Sequence, residues 1–133
     1  MRLEGAAAPA AAGTYPFALA EEGGQLAVHW SGMVLGAAED ARKRVPAGTI
    51  SRRFHDTLAA AVVAAASRLA EVAGARHVVL SGGVFQNVTL LSGVLSGLRK
   101  RKLSPLIHRQ VPANDGGISL GQAYFAAAQV AGG

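Results

Sequence analysis

Cysteine is absent from all 133 residues. That excludes a disulfide framework and a thiolate zinc site, and it fits a cytoplasmic location. No apolar run reaches the roughly 18 residues a membrane span needs, so no membrane partner is expected. The first 17 residues are rich in small side chains, but they have no leucine-rich centre and Glu4 lies early; they do not read as a signal peptide. Aromatics make up only 5% of the chain, and much of the apolar content is alanine. Close helix packing is therefore expected rather than a bulky aromatic core.

What is present suits one folded domain. Half of the residues are hydrophobic, enough for a core and against disorder. The net charge is +5, and basic residues gather at 42–44, 52–53 and 99–102. Two of these clusters fall at or near expected helix C-termini, where cations complement the macrodipole. A nucleic-acid surface is the other, less favoured reading.

Residues 1–8 read as a short helix or the tail of one, stopped by Pro9, and 10–14 as linker. The segment YPFALAEEGGQLAVHW alternates: Tyr15, Phe17 and Leu19 share one strand face and Leu26, Val28 and Trp30 the next. Glu-Glu-Gly-Gly between them predicts a hairpin, with Pro16 marking an edge or a strand start. Residues 31–45 have helical spacing, with Ser31 as cap and 46–48 as stop. A longer helix is expected over 50–73, with Thr49 and Gly74 as caps. Its stripe of Ile50, Phe54, Leu58, Val62, Ala65, Leu69 and Val72 is the expected buried face.

Residues 78–80 form a short apolar run, expected to be a strand buried on both faces. Val84, Val88, Leu91, Leu95 and Leu98 then set a helical period, and the basic run ends it. Residues 106–108 are the next strand, and 118–130 a last, alanine-rich helix expected to pack tightly. The order helix, strand, helix, strand, helix predicts a parallel pair with a crossover helix. The hairpin is expected to extend this sheet, giving four strands in all.

The stretch HVVLSGGVFQN places Ser81-Gly82-Gly83 at a strand end that restarts as a helix. Glycine tolerates positive φ there and lets another group approach the backbone. Successive N–H groups and a helix start make an anion-binding concavity, at the sheet edge where ligands of open α/β folds bind. Asn87, near the first turn, is placed to reach a ribose or phosphate. A tight turn that binds nothing remains the alternative on these residues alone. The stretch HRQVPANDGGISLGQA follows the next strand in the same way, with Asn114, Asp115, Gly116 and Gly117. In a parallel pair both loops open on one edge, so the two glycine pairs should lie side by side. A carboxylate there can hold a divalent cation that bridges phosphates, or it can simply cap the last helix.

The phrases ISRRFHDTLAAA, LSGGVFQN and HRQVPANDGGISLGQA, in this order and at this spacing, resemble the C-terminal end of the hydrogenase-maturation carbamoyltransferases of the HypF family. MRLEG and YPFAL are similar to the segment just upstream. Looser forms occur in the TsaD-type tRNA threonylcarbamoyl-transfer proteins, which share the actin-like ATPase fold of sugar kinases and chaperones.

The resemblance implies an α/β fold. It would be a single lobe of the actin-like ATPase type, a mixed sheet with flanking helices. Residues 1–14 would be an N-terminal linker or short helix and 15–133 the C-terminal lobe of the transfer domain. It implies use of carbamoyl phosphate and ATP to form carbamoyl-adenylate. The carbamoyl group then passes to the C-terminal cysteine of the partner HypE, toward the cyanide ligands of nickel-iron hydrogenase. Ser81, Gly82, Gly83, Asn87, Gly116 and Gly117 are the implied nucleotide-contacting residues. Asp115 is the implied ligand of a divalent metal, with Asn114 as neighbouring candidate.

The other domains of such proteins, and the paired-histidine metal motif of the first lobe, have no counterpart in these residues. His29, His55, His77 and His108 form no i, i+4 pair. His55 reads as a polar residue on a helix flank, with catalysis the lesser alternative, and His108 as a structural histidine near the cleft. The implied partners are therefore the missing N-terminal lobe or upstream HypF domains, and HypE. A lone lobe is expected to bind ATP weakly and to be inactive by itself. The alternatives are a non-catalytic docking module or remnant lobe, and an RNA-binding relative of the tRNA-modifying proteins.

Overall fold

The computed structural model describes residues 2–8 and 13–131. Pro9 and residues 10–12 of the expected linker lie outside the described residues. The elements run α1 (Arg2–Gly5), β1 (Ala18–Glu22), β2 (Gln25–His29), α2 (Ser31–Arg42), α3 (Ala47–Ala73), β3 (His77–Leu80), α4 (Val88–Lys100), β4 (Ser104–Ile107) and α5 (Ile118–Ala131). Short 3₁₀ turns at Gly83–Gln86 and Asp115–Gly117 precede α4 and α5.

The hairpin forms as its turn residues dictate. Glu22 pairs with Gln25, and Gly23 and Gly24 between them have φ of 57° and 79°. Two left-handed residues are what a two-residue loop matched to strand twist requires. The first strand starts later than its alternation suggests, because Tyr15 is pulled inward as an anchor. Its backbone N–H donates to Thr57 Oγ1 and its hydroxyl to the Asp40 carboxylate, each at 2.8 Å. Arg53 donates to the same carboxylate at 2.6 Å. Burial, then the Asp40 hydrogen bond, pushes the Tyr15 phenol up to about 12. The Tyr15 and Arg53 hydrogen bonds hold Asp40 below the ordinary carboxylate value. This cluster ties the entering chain to α2 and α3.

Helix ends depart from the expected caps. α2 begins at Ser31 with Trp30 as the flanking residue, and α3 begins at Ala47 after Pro46; neither start has a side-chain cap. Proline's fixed φ and the lack of a donor at Pro46 suit a helix entrance. Gly74 ends α3 with φ of 63°, as expected.

The core lies between α3, α4 and one face of β3, around Ala59, Val63, Leu80, Leu90, Val94 and Leu98. The buried row of α3 is Ser51, His55, Ala59, Val63 and Ala70, with Thr57 and Ala61 beside it. The apolar stripe expected from spacing is only partly buried, and its end, Leu69 and Val72, is exposed. Small side chains won because they let the helices approach. A Cβ added at Gly97 would stand 2.6 Å from Val63 Cγ2, and one at Gly93 would stand 2.9 Å from Ala59 Cβ.

The sheet differs from expectation. β3 and β4 pair in parallel, Leu80 opposite Ile107, across the α4 crossover. The hairpin does not join them: the described residues form two separate two-stranded sheets, since β2 packs on α3 instead. β3 is covered on one face only, with Leu80 buried and Val79 68% exposed. The parallel pair begins at Ser104 and ends at Ile107, just before His108.

α5 departs most. Its apolar residues are spread around the circumference, broken only by Ser119, Gln122 and Gln129, yet every residue in it is exposed, including Tyr124 at 77% and Phe125 at 66%. Such helices are normally buried. The chain exposes 9063 Å², against roughly 6,500 Å² for a compact monomer of 13.5 kDa. Alanine content predicted close packing, but nothing in the described chain supplies the facing surface.

Candidate functional site

The two βα loops meet at the C-terminal end of β3 and β4. Ser81 Oγ and His108 Nε2 are 2.9 Å apart. The Gly82 N–H donates to the Ala113 carbonyl at 2.7 Å. A Cβ on Gly83 would touch the Asn114 Cβ at 3.8 Å. The first glycine loop thus meets the second at Ala113 and Asn114, ahead of Gly116-Gly117, whose own near neighbours are Pro112 and Asn114. Gly82 has φ of 102° and ψ of 154°, a conformation that is essentially glycine's alone. Among the described residues, the N–H groups of Gly83 and Val84 donate to no backbone carbonyl. They are the donors this loop offers an anion.

The second loop is more self-contained. Asn114 Oδ1 accepts from Gly116 N at 3.1 Å, and the Gly117 N–H donates to the Asn114 carbonyl at 3.0 Å. Asn114, not Asp115, is the cap of this turn. A Cβ on Gly117 would lie 2.8 Å from the Pro112 carbonyl oxygen, so that glycine is required by the loop's own packing. Asp115 is exposed at the start of the turn. No group of three or more histidines and carboxylates that could hold a metal ion exists among the described residues. These residues therefore supply at most one side of a metal site, at Asp115, and do not by themselves fit an ion.

Asn87 is engaged inside the protein. Its Oδ1 caps α4 by accepting from Leu90 N at 2.9 Å, and its amide nitrogen lies 2.8 Å from His55 Nε2. The start of α4 has a second cap from far away in sequence. Glu4 Oε1 accepts from Val88 N at 2.6 Å and from Thr89 N at 3.3 Å. The Asn87 N–H donates to the Val84 carbonyl at 3.2 Å. All four N–H groups that a helix start leaves over are thereby satisfied internally. The α4 terminus that the sequence pattern pointed to therefore has no N–H group to spare, whereas the 3₁₀ turn leaves those of Gly83 and Val84 without a backbone acceptor. Glu4 has no local signal for this role, because its partners lie more than eighty residues downstream.

A groove of about 590 Å³ runs along α3 and α4 past Arg52, Asp56, Ser92 and Lys100. It is separate from both glycine loops.

Residues 1–122 match the family model described as "Carbamoyltransferase, Kae1-like Domain, second subdomain". The chain belongs to the HypF carbamoyltransferase family. It is 33% identical to the HypF of Synechocystis sp. over 81% of this chain and 13% of that protein. It is 47% identical to the HypF of Rhizobium leguminosarum bv. viciae over 55% of this chain and 10% of that protein. A crystal structure of full-length HypF in the phosphate- and nucleotide-bound form superposes with a TM-score of 0.86 at 32% identity, covering 93% of this chain and 16% of that one. The HypF of T. kodakarensis shares the fold, with a TM-score of 0.75 at 23% identity over 98% of this chain and 17% of that one. The chain thus spans under a fifth of the length of these HypF proteins. No helix among the described residues is long and apolar enough to cross a membrane.

Proposed function

We propose that this chain is the nucleotide-binding half of a HypF-type carbamoyltransferase site, built as one lobe of an actin-like ATPase fold. Ser81, Gly82 and Gly83 line the phosphate side of the bound adenylate. The Gly83 and Val84 N–H groups donate to its oxygens. Gly116 and Gly117 form the facing wall, and Asn87 holds the loop's far end. Asp115 supplies one carboxylate to a divalent ion whose other ligands come from outside these residues; such an ion would neutralise phosphate charge. In this reading water releases phosphate from carbamoyl phosphate, the resulting carbamate displaces pyrophosphate from ATP to give carbamoyl-adenylate, and the thiol of the terminal cysteine of HypE takes the carbamoyl group with release of AMP.

The observation that carries the reading is the direct bond between the two loops, Gly82 to Ala113, at the C-terminal end of a parallel strand pair. A relative described as phosphate- and nucleotide-bound superposes on this chain, which supports it, and the net charge of +5 suits an anionic ligand. The test joins this chain to the remaining domains of a HypF relative and measures ATP binding and carbamoyl transfer. Gly83→Val is expected to abolish ATP binding. Asp115→Ala is expected to remove metal-dependent transfer with the fold intact. Unchanged ATP affinity in Gly83→Val would overturn the loop assignment.

One observation favours a second reading, a docking module without turnover. The large apolar residues of α5 are exposed, as are Val79 and its sheet partner Leu106, and exposed apolar groups gathered this way mark docking surfaces. Light scattering with and without the complementary HypF domains separates the two readings. Binding without any transfer supports docking alone.

A further inference from the structure

His55 is 3% exposed in the middle of α3, and both ring nitrogens are engaged. Nδ1 lies 2.8 Å from the Ser51 carbonyl oxygen, and Nε2 lies 2.8 Å from the Asn87 amide nitrogen. A carbonyl only accepts, so Nδ1 carries the hydrogen. In a neutral ring Nε2 is then an acceptor, and Asn87 must present its NH₂. That fixes the amide's orientation and turns Oδ1 toward Leu90 N, where it caps α4. One chain of hydrogen bonds thus runs from the α3 backbone through the imidazole to the first turn of α4. Among the described residues no buried side-chain polar atom lacks a partner.

The consequence concerns the glycine loop. Its front is pinned by the Gly82 bond to Ala113. Its back ends at Asn87, directly after the 3₁₀ turn. We infer that His55 is the positioning residue of this loop: acting through Asn87, it sets where the Gly83 and Val84 N–H groups point. Buried and bonded at both nitrogens, it does not touch a ligand itself. The functional half of the inference rests on the nucleotide reading above; the anchoring half rests on the geometry alone.

Two substitutions separate anchoring from mere filling of space. The amide of Gln reaches the place of Nε2, so His55→Gln keeps an acceptor for Asn87 and gives up the Ser51 bond. The amide of Asn reaches only the place of Nδ1, so His55→Asn keeps the Ser51 bond and loses the link to the loop. Amide hydrogen exchange is read at Leu90 in this chain. Losing the link is expected to speed it by roughly fivefold to tenfold in His55→Asn, the scale of one net hydrogen bond. In His55→Gln it should stay within about twofold of the parent on the same scale. ¹⁵N spectra of the parent imidazole should show Nδ1 protonated and Nε2 bare. Equal exchange in the two variants, or the opposite tautomer, overturns the anchoring. If His55→Asn does not fold, Asn87→Ser replaces it. The hydroxyl oxygen still caps Leu90 but is too short to reach Nε2, so exchange should rise at Phe85, whose N–H donates to the Gly82 carbonyl in the turn, and not at Leu90; unaltered exchange at Phe85 overturns the anchoring. ATP titration of this chain joined to the remaining domains of a HypF relative tests the functional half, because a lone lobe binds ATP weakly. Weaker binding in His55→Asn than in His55→Gln supports it, and equal binding overturns it. No ATP binding in the joined parent protein sinks the nucleotide reading and this half with it, while the exchange contrast in this chain still decides the anchoring.

Discussion

The Gly82 N–H donates to the Ala113 carbonyl at 2.7 Å, across a gap of some thirty residues in sequence. That bond brings the ends of two strands into one loop cluster, and it depends on Gly82 holding a φ of 102°. Alanine there meets no neighbouring atom within 4 Å, so any cost is conformational. Gly82→Ala is expected to lose about 1–3 kcal/mol. Gly83→Ala, with a Cβ in ordinary contact with Asn114, should lose much less. Urea unfolding midpoints at constant slope check the contrast, and equal losses would show that the strained position is not the cause.

Glu4 and the start of α4 give a second expectation. Its carboxylate satisfies Val88 and Thr89 at the positive end of the helix. Glu4→Ala is expected to cost about 1 kcal/mol, the usual worth of a cap, and Glu4→Lys more, by reversing the interaction with the helix dipole. The Glu4→Lys excess should shrink as salt is raised. Thermal melts of the three proteins at low and high salt measure it.

The α3–α4 contact is tight enough to report a single methyl. Gly97→Ala places its Cβ 2.6 Å from Val63 Cγ2, and a β-branched side chain cannot swing aside freely. The expected loss is about 1–3 kcal/mol. Adding Val63→Ala should recover part of it, giving a non-additive double-mutant cycle. Additivity would place the strain elsewhere.

Tyr15 and Asp40 shape the pH profile. Asp40 lies below its ordinary value in the fold, so its contribution is intact above about pH 4 and is lost as pH falls through the lowered value. Tyr15 is raised to about 12 from 10.0, so its contribution is complete below pH 10.0 and declines from there toward 12. Tyr15→Phe removes the alkaline decline. It also weakens the acid dependence without abolishing it, because Arg53 still donates to Asp40. Urea stability measured from acid to alkaline pH for both proteins checks the sign at each end. An alkaline limb identical to the parent's would contradict the assignment.

Much of this was legible in local pattern. Two glycines between alternating strands define the hairpin turn, because only residues at ease with positive φ match its twist. Gly74 marks the end of α3 for the same reason. The loop phrases around Gly82 and Gly116 pointed to one cluster on one sheet edge and to the HypF family. Less legible was which apolar residues meet another surface. Leu69 and Val72 have the periodicity of core residues, and α5 has the composition of a buried helix, yet all of them lie open.

Sequence alone determined the helices and short strands, the places where the chain turns, and the family, since each depends on neighbours a few positions apart. Tertiary structure decided the rest. It chose small side chains for the α3–α4 seam, kept the hairpin off the parallel pair, gave the end of α4 to Glu4, and joined His55 to Asn87. Those outcomes depend on groups dozens of residues apart meeting within a few ångströms, and no short-range pattern carries that information.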